Sequence, residues 1–243
     1  MKGVVLAGGL GTRLGSLTKI TNKHLLPIYD KPMVYYPIQT LINVGIKDIM
    51  IVTGNHHAGD FMSLLGSGDE VGLTKLEYGY QKGEGGIADA LKLAENFVGN
   101  ERFIVILGDN IIERNILEAV KLYEQQDSGA MIMLHHTNEP RRFGVPVFNK
   151  DNTLACIEEK PKFPKSDYAV IGIYMYDTTV FNYIRRLKPS GRGELEITDV
   201  NNFYIKNGCM NYSILDGWWV DAGNPLSLLR AGMLVEKTGA NNL

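Results

Sequence analysis

The sequence predicts an α/β fold, a three-layer sandwich in which helices cover both faces of a mainly parallel, mixed central sheet. Short runs of branched apolar residues alternate with segments of helical periodicity from the first residues onward, which is typical of successive strand–helix–strand units. After Ser128 the strands follow one another more closely, and a turn sequence joins two of them as a hairpin. The sheet is therefore expected to become mixed in its second half.

The predicted strands are short, apolar and bounded by turn-forming residues. The run at residues 103–107 is the clearest, because five apolar residues end at Gly108. The sequence Asn-Lys-Asp-Asn at residues 149–152 favours a hairpin turn. In chain order, strands are predicted at residues 4–7, 49–52, 73–80, 103–107, 130–134, 145–148, 154–158 and 169–176.

Helices are predicted where apolar residues recur every three or four positions. Proline suits the first turn of a helix, so Pro32 is expected to open one. Ile38, Leu41 and Ile42 follow at helical spacing, and Gly45 ends the helix. Further helices are predicted at residues 61–65, 87–97, 115–125, 179–187, 197–206 and 225–236.

The composition excludes several classes of protein. Of the 243 residues, 44 % are hydrophobic and 21 % are charged, which excludes collagen, a coiled coil and a disordered chain. Two cysteines are too few for a disulfide scaffold and favour a reducing compartment. The longest apolar runs are too short to span a bilayer, and the first residues lack the apolar stretch of a signal peptide. We expect a cytoplasmic protein with no membrane partner.

The distribution of charge indicates a small anionic ligand near the N-terminus. The net charge of −2 is unlike that of a general nucleic-acid binder. Residues 1–32, however, carry five basic side chains and one acidic one, a local net charge of +4. Chance clustering on a solvated face is the alternative explanation.

The glycine-rich segment at residues 8–13 can be compared with known phosphate-binding patterns. The Gly-x-x-x-x-Gly-Lys-Ser/Thr pattern of a Walker loop is absent. The dinucleotide pattern Gly-x-Gly-x-x-Gly fails at Leu14, and the next helix is predicted only from Pro32. The third possibility is a loop that wraps a nucleoside triphosphate, with Arg13 and Lys23 pairing the phosphates. A glycine turn without a ligand is the remaining alternative.

A second candidate segment follows the clearest strand. Open α/β sheets bind ligands at the carboxyl ends of their strands. The glycine loop follows the first predicted strand, and Gly108-Asp109-Asn110 follows the strand at residues 103–107. If these strands are parallel, the loop faces the carboxylate of Asp109.

At this point the sequence resembles the sugar nucleotidyltransferases, and among them the glucose-1-phosphate thymidylyltransferases. The motifs occur in the family's order and span nearly the whole chain. They are LAGGLGTRL (residues 6–14), KHLLPIYDKPM (23–33), LGDN (107–110), FGV (143–145), EEKP (158–161), YAV (168–170), RGELEITDVN (192–201) and WVDAG (219–223).

The resemblance implies transfer of a thymidylyl group from dTTP to α-D-glucose 1-phosphate, giving dTDP-glucose and pyrophosphate. It implies one domain over residues 1–243 with a Rossmann-like nucleotidyltransferase fold. The nucleotide-binding part would be about residues 1–128, and the sugar-phosphate-binding part about 129–243. Such proteins form homo-oligomers, commonly tetramers, and supply dTDP-sugars, notably dTDP-rhamnose for bacterial surface polysaccharide. Longer members continue with a C-terminal helical segment tied to feedback regulation, so inhibition by dTDP-rhamnose is not carried over.

Mg²⁺ is the cofactor that this reaction implies, because two polyanions must be brought together. Mg²⁺ is usually held by one or two carboxylates together with substrate phosphates. By resemblance the metal ligands are Asp109 and Asp221, of which Asp109 is also counted as catalytic. Each follows an apolar run, as expected of a side chain at a strand end. A turn or helix cap is the structural alternative for each.

The resemblance also assigns residues to the nucleotide. Arg13 and Lys23 are the catalytic cations, with Arg13 on the leaving pyrophosphate and Lys23 on the charge that develops during transfer. Gln81 matches the family's base-reading glutamine, and a Gln amide can both donate to and accept from a pyrimidine edge. The predicted nucleotide-binding residues are Gly8, Gly9, Gly11, Thr12, Arg13, Lys23, His24, Gln81, Gly86 and Asp109.

The sugar phosphate is assigned to the second half of the chain. Lys160 and Arg192 match the residues that meet the phosphate, and Glu159 matches the one that meets the hydroxyls. Glu159 and Lys160 are adjacent, so a regular strand would direct them to opposite faces unless a bulge or a strand end intervened. The predicted sugar-phosphate-binding residues are Asn110, Gly144, Glu159, Lys160, Val170 and Arg192.

The histidines have simpler explanations than a metal site. Neighbouring residues on a strand diverge, so the pairs His56-His57 and His135-His136 are predicted to be surface or turn residues. His24 stands where the commoner family motif has Gln. It could contact the nucleotide or fill space.

Two alternatives to thymidylyl transfer stay open. Lys82-Gly83-Glu84-Gly85 departs from the usual family form next to Gln81, so a uridylyltransferase making UDP-glucose or a related UDP-sugar is the nearer alternative. The more distant one is a non-catalytic subunit that senses nucleotide sugars, which would lack the metal carboxylates or the phosphate cations. This chain carries both sets.

Overall fold

The structure is a computed structural model that describes residues 1–54 and 57–242. The strands described are β1 (Lys2–Ala7), β2 (Pro27–Ile28), β3 (Lys31–Pro32), β4 (Asp48–Gly54), β5 (Lys75–Gln81), β6 (Phe103–Leu107), β7 (Asn110–Ile112), β8 (Ala130–His136), β9 (Gly144–Phe148), β10 (Leu154–Glu159), β11 (Tyr168–Tyr176), β12 (Met210–Ile214) and β13 (Trp219–Asp221). The α-helices described are α1 (Tyr35–Asn43), α2 (Ala58–Leu65), α3 (Ile87–Lys92), α4 (Glu95–Val98), α5 (Leu117–Glu124), α6 (Thr179–Ile184), α7 (Ile197–Lys206) and α8 (Pro225–Thr238). Short 3₁₀ segments add Thr12–Thr18, Lys23–Leu25, Asp69–Val71 and Pro140–Arg142.

The main sheet is parallel in one half and mixed in the other. Strands β5, β4, β1 and β6 lie side by side in parallel, with Leu6 opposite both Val52 and Leu107. Strand β11 then pairs antiparallel with β6 and connects the parallel half to β8 and β9. Strand β12 pairs parallel with β8, and β10 pairs antiparallel with β9. The prediction of a mainly parallel sheet that becomes mixed after Ser128 is confirmed.

Helices cover both faces of this sheet, as the alternation along β1 requires. Val4 and Leu6 point into a core that includes the buried faces of α3, α4, α6 and α7. Val5 and Ala7 point to the opposite side, into a core that includes those of α1, α2 and α5. Because successive strand residues face opposite ways, an uninterrupted apolar strand must be buried on both faces. The predicted three-layer sandwich is confirmed.

The last helix supports a smaller two-stranded sheet. Strands β7 and β13 pair antiparallel, and Ile111 and Val220 from them share a core with Ala231 and Val235 of α8. Asn224 caps the helix through a reciprocal capping box with Ser227. The helix therefore fixes the position of β13. Among residues 1–54 and 57–242, no helix has the length and apolar character that crossing a membrane requires.

The predicted strands and helices are present in the structure, but several of them begin or end at other residues than predicted. The predictions for β6 and α7 agree with the structure to the residue, whereas the helix expected from Pro32 begins at Tyr35. Pro32 lies instead in β3, which folds back on β2 through a turn with Tyr29 at φ 54°. The helix predicted at residues 87–97 is divided, because the backbone tightens to i→i−3 hydrogen bonds at Leu93 and Ala94.

The carboxyl ends of β1 and β4 approach each other so closely that glycine is required. A Cβ atom built on Gly54 would overlap the carbonyl oxygen of Gly8, the first glycine of the N-terminal loop. Since the neighbouring atoms belong to the backbone, rotation of a side chain cannot relieve this contact. The position of the glycine loop thus depends on Gly54.

We expect Gly54→Ala to lower the free energy of unfolding by about 1–3 kcal/mol, the usual effect of overpacking. Gly59→Ala is the matched control, because a Cβ atom there has no neighbour within 4 Å and the residue lies in α2. The control should be neutral or up to about 1 kcal/mol more stable. Urea denaturation of both variants measures the difference, and equal stabilities would contradict the proposed contact.

Candidate active site

A cleft of about 660 Å³ opens where β1 and β6 end. The cleft lies at the edge of the sheet where ligand binding was predicted from the sequence. Residues from both halves of the chain line the cleft. Of the predicted site residues, those in the lining are Gly8, Gly9, Thr12, Arg13, Lys23, His24, Gln81, Gly86, Asp109, Asn110, Gly144, Glu159, Lys160, Val170, Arg192 and Asp221.

Gly11 is the predicted site residue that does not line the cleft. Its φ of 67° starts the 3₁₀ segment Thr12–Thr18, and a Cβ atom there would lie 2.9 Å from Cβ of Lys23. Glycine tolerates this backbone conformation without strain. The structure thus gives Gly11 a reason to be glycine that needs no direct contact with a ligand.

The two candidate metal carboxylates are brought together by the small sheet. Asn110 of β7 lies opposite Asp221 of β13, and the backbone N–H of Ala222 donates to the carbonyl oxygen of Asp109 at 2.9 Å. Asp109 and Asp221 are 112 positions apart in the chain, but Asp109 immediately precedes the residue that pairs with Asp221. The topology therefore places two acidic side chains on one wall of the cleft.

Lys23 and Asp109 form an ion pair that is nearly closed to solvent. Lys23 Nζ contacts Asp109 Oδ2, and the two side chains are 12 % and 10 % exposed. Burial alone would raise the pKa of Asp109, but the nearby Lys23 charge and a hydrogen bond from Asn110 hold that pKa well below its usual value. Asp109 is therefore an anion at neutral pH.

The pKa of Asp221 is shifted in the opposite direction from that of Asp109. Burial and the neighbouring charge of Asp109 raise the pKa of Asp221, although Lys23, Arg13 and Arg142 oppose the shift. Arg13 Nη2 lies 3.9 Å from Asp221 Oδ2, and the arginine side chain is 59 % exposed. A mobile cation at this wall would favour the ionised form of both carboxylates. The wall thus has the electrostatic character of a cation site.

Gln81 lies at the end of β5, where it faces the glycine loop. Its Nε2 donates to the carbonyl oxygen of Gly86 at 3.1 Å and to Asp89 Oδ2 at 3.0 Å. A Cβ atom on Gly8 would lie 2.9 Å from Gln81 Oε1, so glycine at position 8 leaves room for the amide. The Gln81 amide is therefore held in one orientation beside the loop.

His24 is buried next to the Lys23–Asp109 ion pair. Asn22 Oδ1 accepts from the backbone N–H of His24 at 2.9 Å and lies 2.7 Å from the ring Nδ1, which donates to it. Burial, with the charge of Lys23, lowers the pKa of His24 to about 3. A Cβ atom on Gly108 would lie 2.6 Å from the His24 ring. The space-filling explanation of His24 thus has direct support, and a contact with the nucleotide stays a prediction.

The opposite wall is built around Glu159 and Lys160. Strand β10 ends at Glu159, and Lys160 has a φ of 44°. Because Lys160 lies outside the regular strand, its side chain need not face away from that of Glu159, and both line the cleft. The strand end therefore resolves the geometric difficulty of two adjacent site residues. Glu159 accepts a hydrogen bond from Thr198 Oγ1 at 2.6 Å.

Arg192 is surrounded by carboxylates. Its guanidinium donates to Glu196 Oε2 at 2.8 Å and lies 3.6 Å from Glu159 and 3.5 Å from Glu194. These charges and the hydrogen bond to Glu196 outweigh partial burial and raise the pKa of Arg192. Arg192 is thus held at the cleft by several weak, partly exposed ion pairs.

Several residues of this site were not singled out from the sequence, and three of them support predicted site residues. Thr198 supports Glu159, Glu196 supports Arg192, and Trp219 Nε1 donates to Asn110 Oδ1 at 2.6 Å. All three fall inside the quoted motifs. Their side-chain partners, however, depend on the tertiary fold, which the motif spacing does not reveal.

The remaining histidines lie elsewhere. His57 Nδ1 is 2.8 Å from Asp60 Oδ2, and His135 Nε2 donates to the carbonyl oxygen of Gly217 at 2.9 Å. His136 is exposed and meets the Tyr168 ring edge to face. His56 lies outside the described residues.

Comparisons with known proteins give the family. The sequence profile described as "Nucleotidyl transferase" matches residues 2–238. A glucose-1-phosphate thymidylyltransferase of Neisseria meningitidis is 42 % identical over 97 % of this chain and 83 % of its own length, and one of Mycolicibacterium smegmatis is 43 % identical over 97 % and 82 %. The chain belongs to the glucose-1-phosphate thymidylyltransferases of the nucleotidyl transferase family.

Solved structures agree with this membership. A Bacillus anthracis protein provisionally named glucose-1-phosphate thymidylyltransferase, crystallised with sucrose, superposes with a TM-score of 0.92. It is 52 % identical, and the match covers 96 % of this chain and 94 % of that one. A UDP-glucose pyrophosphorylase bound to UDP-glucose has a TM-score of 0.84 at 25 % identity, over 97 % and 98 % of the two chains.

The donor set fits a divalent metal ion, which nucleotidyl transferases generally use. In residues 1–54 and 57–242, no group of three or more His, Cys, Asp or Glu side chains could enclose a metal by itself. A pair of carboxylates is the usual protein contribution to a Mg²⁺ site that substrate phosphates complete. Asp109 and Asp221 match that pattern.

The buried neutral state of His24 predicts a pH-dependent loss of stability. Unfolded His24 takes up a proton below about pH 6.5, whereas the folded residue stays neutral down to about pH 3. Acid therefore favours the unfolded state through this residue, and its contribution is lost as the pH falls from 6.5 towards 3. The expected slope is about 1.4 kcal/mol per pH unit well below pH 6.5.

Urea denaturation at pH 7.5, 6.5, 5.5 and 4.5 should give His24→Gln a flatter dependence than the parent protein. His136→Gln, at an exposed histidine, should keep the parent slope. A parent slope that survives in His24→Gln would contradict the assignment.

Proposed function

We propose that this protein transfers the thymidylyl group of dTTP to α-D-glucose 1-phosphate, giving dTDP-glucose and pyrophosphate. The observation that carries the proposal is the single cleft in which the glycine loop with Arg13 and Lys23 faces Glu159 and Lys160 across a wall of two aspartates. Each substrate is an anion and each side of the cleft offers cations. The 42–43 % identical relatives bear the name of this activity.

The reaction needs no side-chain nucleophile. A phosphate oxygen of glucose 1-phosphate forms a new bond to the α-phosphorus of dTTP, while the bond between that phosphorus and the bridging oxygen to the β-phosphorus breaks. Pyrophosphate carries away the electron pair. Catalysis then depends on alignment and on neutralising charge, because both reactants are polyanions. Arg13 and Lys23 supply positive charge where the leaving group and the transferring phosphoryl group lie.

Mg²⁺ is the proposed cofactor, with Asp109 and Asp221 as its protein ligands. When bound, it would neutralise triphosphate charge and hold phosphate oxygens in place. Asp109 suits this role because Lys23 keeps it ionised at neutral pH. Lys23 and Asp109 are already in contact, so the same ammonium group is available beside the phosphates.

The two substrates divide the cleft. Gln81, held by Gly86 and Asp89 at the glycine-loop side, is proposed to read the pyrimidine edge with its amide. At the other side Lys160 and Arg192 are proposed to bind the sugar phosphate, and Glu159 to accept hydrogen bonds from sugar hydroxyls. Backbone groups of Gly144 and Val170 complete the sugar pocket. A homo-oligomer and a cytoplasmic location remain part of the proposal by family resemblance.

Pyrophosphate release with each of the nucleoside triphosphates tests the function. With glucose 1-phosphate and Mg²⁺, we expect the highest kcat/KM for dTTP, and activity should vanish when EDTA removes the metal. UTP is the informative competitor, since a UDP-glucose pyrophosphorylase shares the fold. A higher kcat/KM for UTP would establish the uridylyltransferase alternative. No release with either triphosphate would reject the proposal.

Lys23→Met is expected to lower kcat about 10²–10³-fold, the effect seen when one preorganised electrostatic donor is removed. Lys31→Met is the matched control, because Lys31 belongs to the same basic segment but pairs with Asp30 at the surface. The control should stay within about twofold of the parent. Steady-state pyrophosphate release measures both, with circular dichroism to confirm folding. A Lys23→Met enzyme as active as the control would exclude Lys23 from catalysis.

A further inference from the structure

The side chain of Asn110 is locked by two donors. Trp219 Nε1 donates to Asn110 Oδ1 at 2.6 Å, and the backbone N–H of Gly172 donates to the same oxygen at 3.0 Å. An amide oxygen has two lone pairs, so both are occupied. This pairing fixes which end of the amide is oxygen, and the Nδ2 group must point the other way.

The fixed amide in turn orients Asp109. Asn110 Nδ2 donates to Asp109 Oδ1 at 3.0 Å, while Lys23 contacts the other carboxylate oxygen. With one partner on each oxygen, the carboxylate plane has little freedom to rotate. The orientation of Asp109 therefore depends on a chain of hydrogen bonds that begins at the indole of Trp219.

Trp219 and Asp221 belong to the same three-residue strand. They are two positions apart on β13, so their side chains leave the same face of it. Strand β13 thus carries Asp221, and it also holds Asp109 in place through Trp219 and Asn110. The indole ring itself packs edge to face on Phe143, with centroids 5.0 Å apart, and lies 5.7 Å from the His135 ring.

We propose that Trp219 is a positioning residue for the metal site, which orients Asp109 through the Trp219–Asn110–Asp109 hydrogen-bond chain. The inference rests on the proposed function, which makes Asp109 a metal ligand and names the cation as Mg²⁺. It assigns to the indole N–H a role separate from packing of the ring. A ring that only packs, or that only contacts the sugar, would leave the metal requirement unchanged when its N–H is lost.

Trp219→Phe tests this distinction, because it keeps an aromatic ring against Phe143 and removes the donor. Trp218→Phe is the matched control: the Nε1 group of that neighbour donates to Thr238 Oγ1 at 2.8 Å, away from the cleft. At saturating substrates, we expect Trp219→Phe to raise the Mg²⁺ concentration for half-maximal rate three- to tenfold. KM for glucose 1-phosphate should change less than twofold, and the control should match the parent in both values.

The opposite pattern would overturn the proposal. A raised KM for glucose 1-phosphate with an unchanged Mg²⁺ requirement would make Trp219 a sugar contact. Unchanged values for both constants would make it a packing residue.

A spectroscopic measurement on the unmodified protein tests the inference without requiring catalytic turnover. The chain has two tryptophans, so ¹⁵N-labelled protein gives two indole N–H resonances, and Trp218→Phe assigns them by loss of one. With dTTP present and no sugar phosphate, replacing EDTA by Mg²⁺ should shift the Trp219 indole resonance and leave that of Trp218 in place. An unshifted Trp219 resonance would reject the inference even in an active enzyme, and a shift without activity would reject only the proposed reaction.

Discussion

The ion pair between Lys23 and Asp109 is the interaction on which the cleft depends. It joins the 3₁₀ segment Lys23–Leu25 to the end of β6 across 86 positions of chain, and both side chains are nearly buried. Removing one partner of a buried pair commonly costs about 3–5 kcal/mol, because the other charge is left uncompensated. The pair consequently holds the segment Lys23–Leu25 against the edge of the sheet, and His24 stays neutral beside the pair.

The same pair determines how the cleft can accept its ligands. A divalent cation that joins Asp109 brings positive charge next to the Lys23 ammonium group, and the pKa of Asp221 is raised until such charge arrives. Under the proposed function, the negative charge that makes this arrangement favourable would be that of the triphosphate, which both cations could share. In the proposed complex, metal and nucleotide would therefore be electrostatically linked at one wall. On the far wall, Arg192 has its charge balanced by three glutamates within the protein.

The sequence predicts the parts of this protein that depend on local pattern and motif. Strand β6 and helix α7 follow from apolar runs and helical spacing, and all but one of the predicted site residues line the cleft. Strand β12 was not predicted, although Met-Asn-Tyr-Ser-Ile alternates apolar and polar residues, because five residues give a weak local signal and their pairing with β8 spans about 80 positions of the chain. Pro32 was assigned to a helix because local spacing does not reveal the hairpin of β2 and β3. Trp219 could not be paired with Asn110 from sequence, since their contact spans 109 positions.

An irregularity in β11 explains how one strand can serve both halves of the cleft. The register of β11 against β8 shifts between Val170 and Tyr174, and bulges of this kind redirect groups that a regular ladder would use. Within that interval the Gly172 N–H donates to the Asn110 side chain, while Val170 lines the cleft beside Gly144. A Cβ atom at position 172 would lie 2.7 Å from Asn110 Nδ2, so glycine is what allows the approach. Because the bulge lies between Val170, which lines the cleft, and the Gly172 N–H that holds the Asn110 amide, the backbone of this one strand contributes to both walls of the cleft.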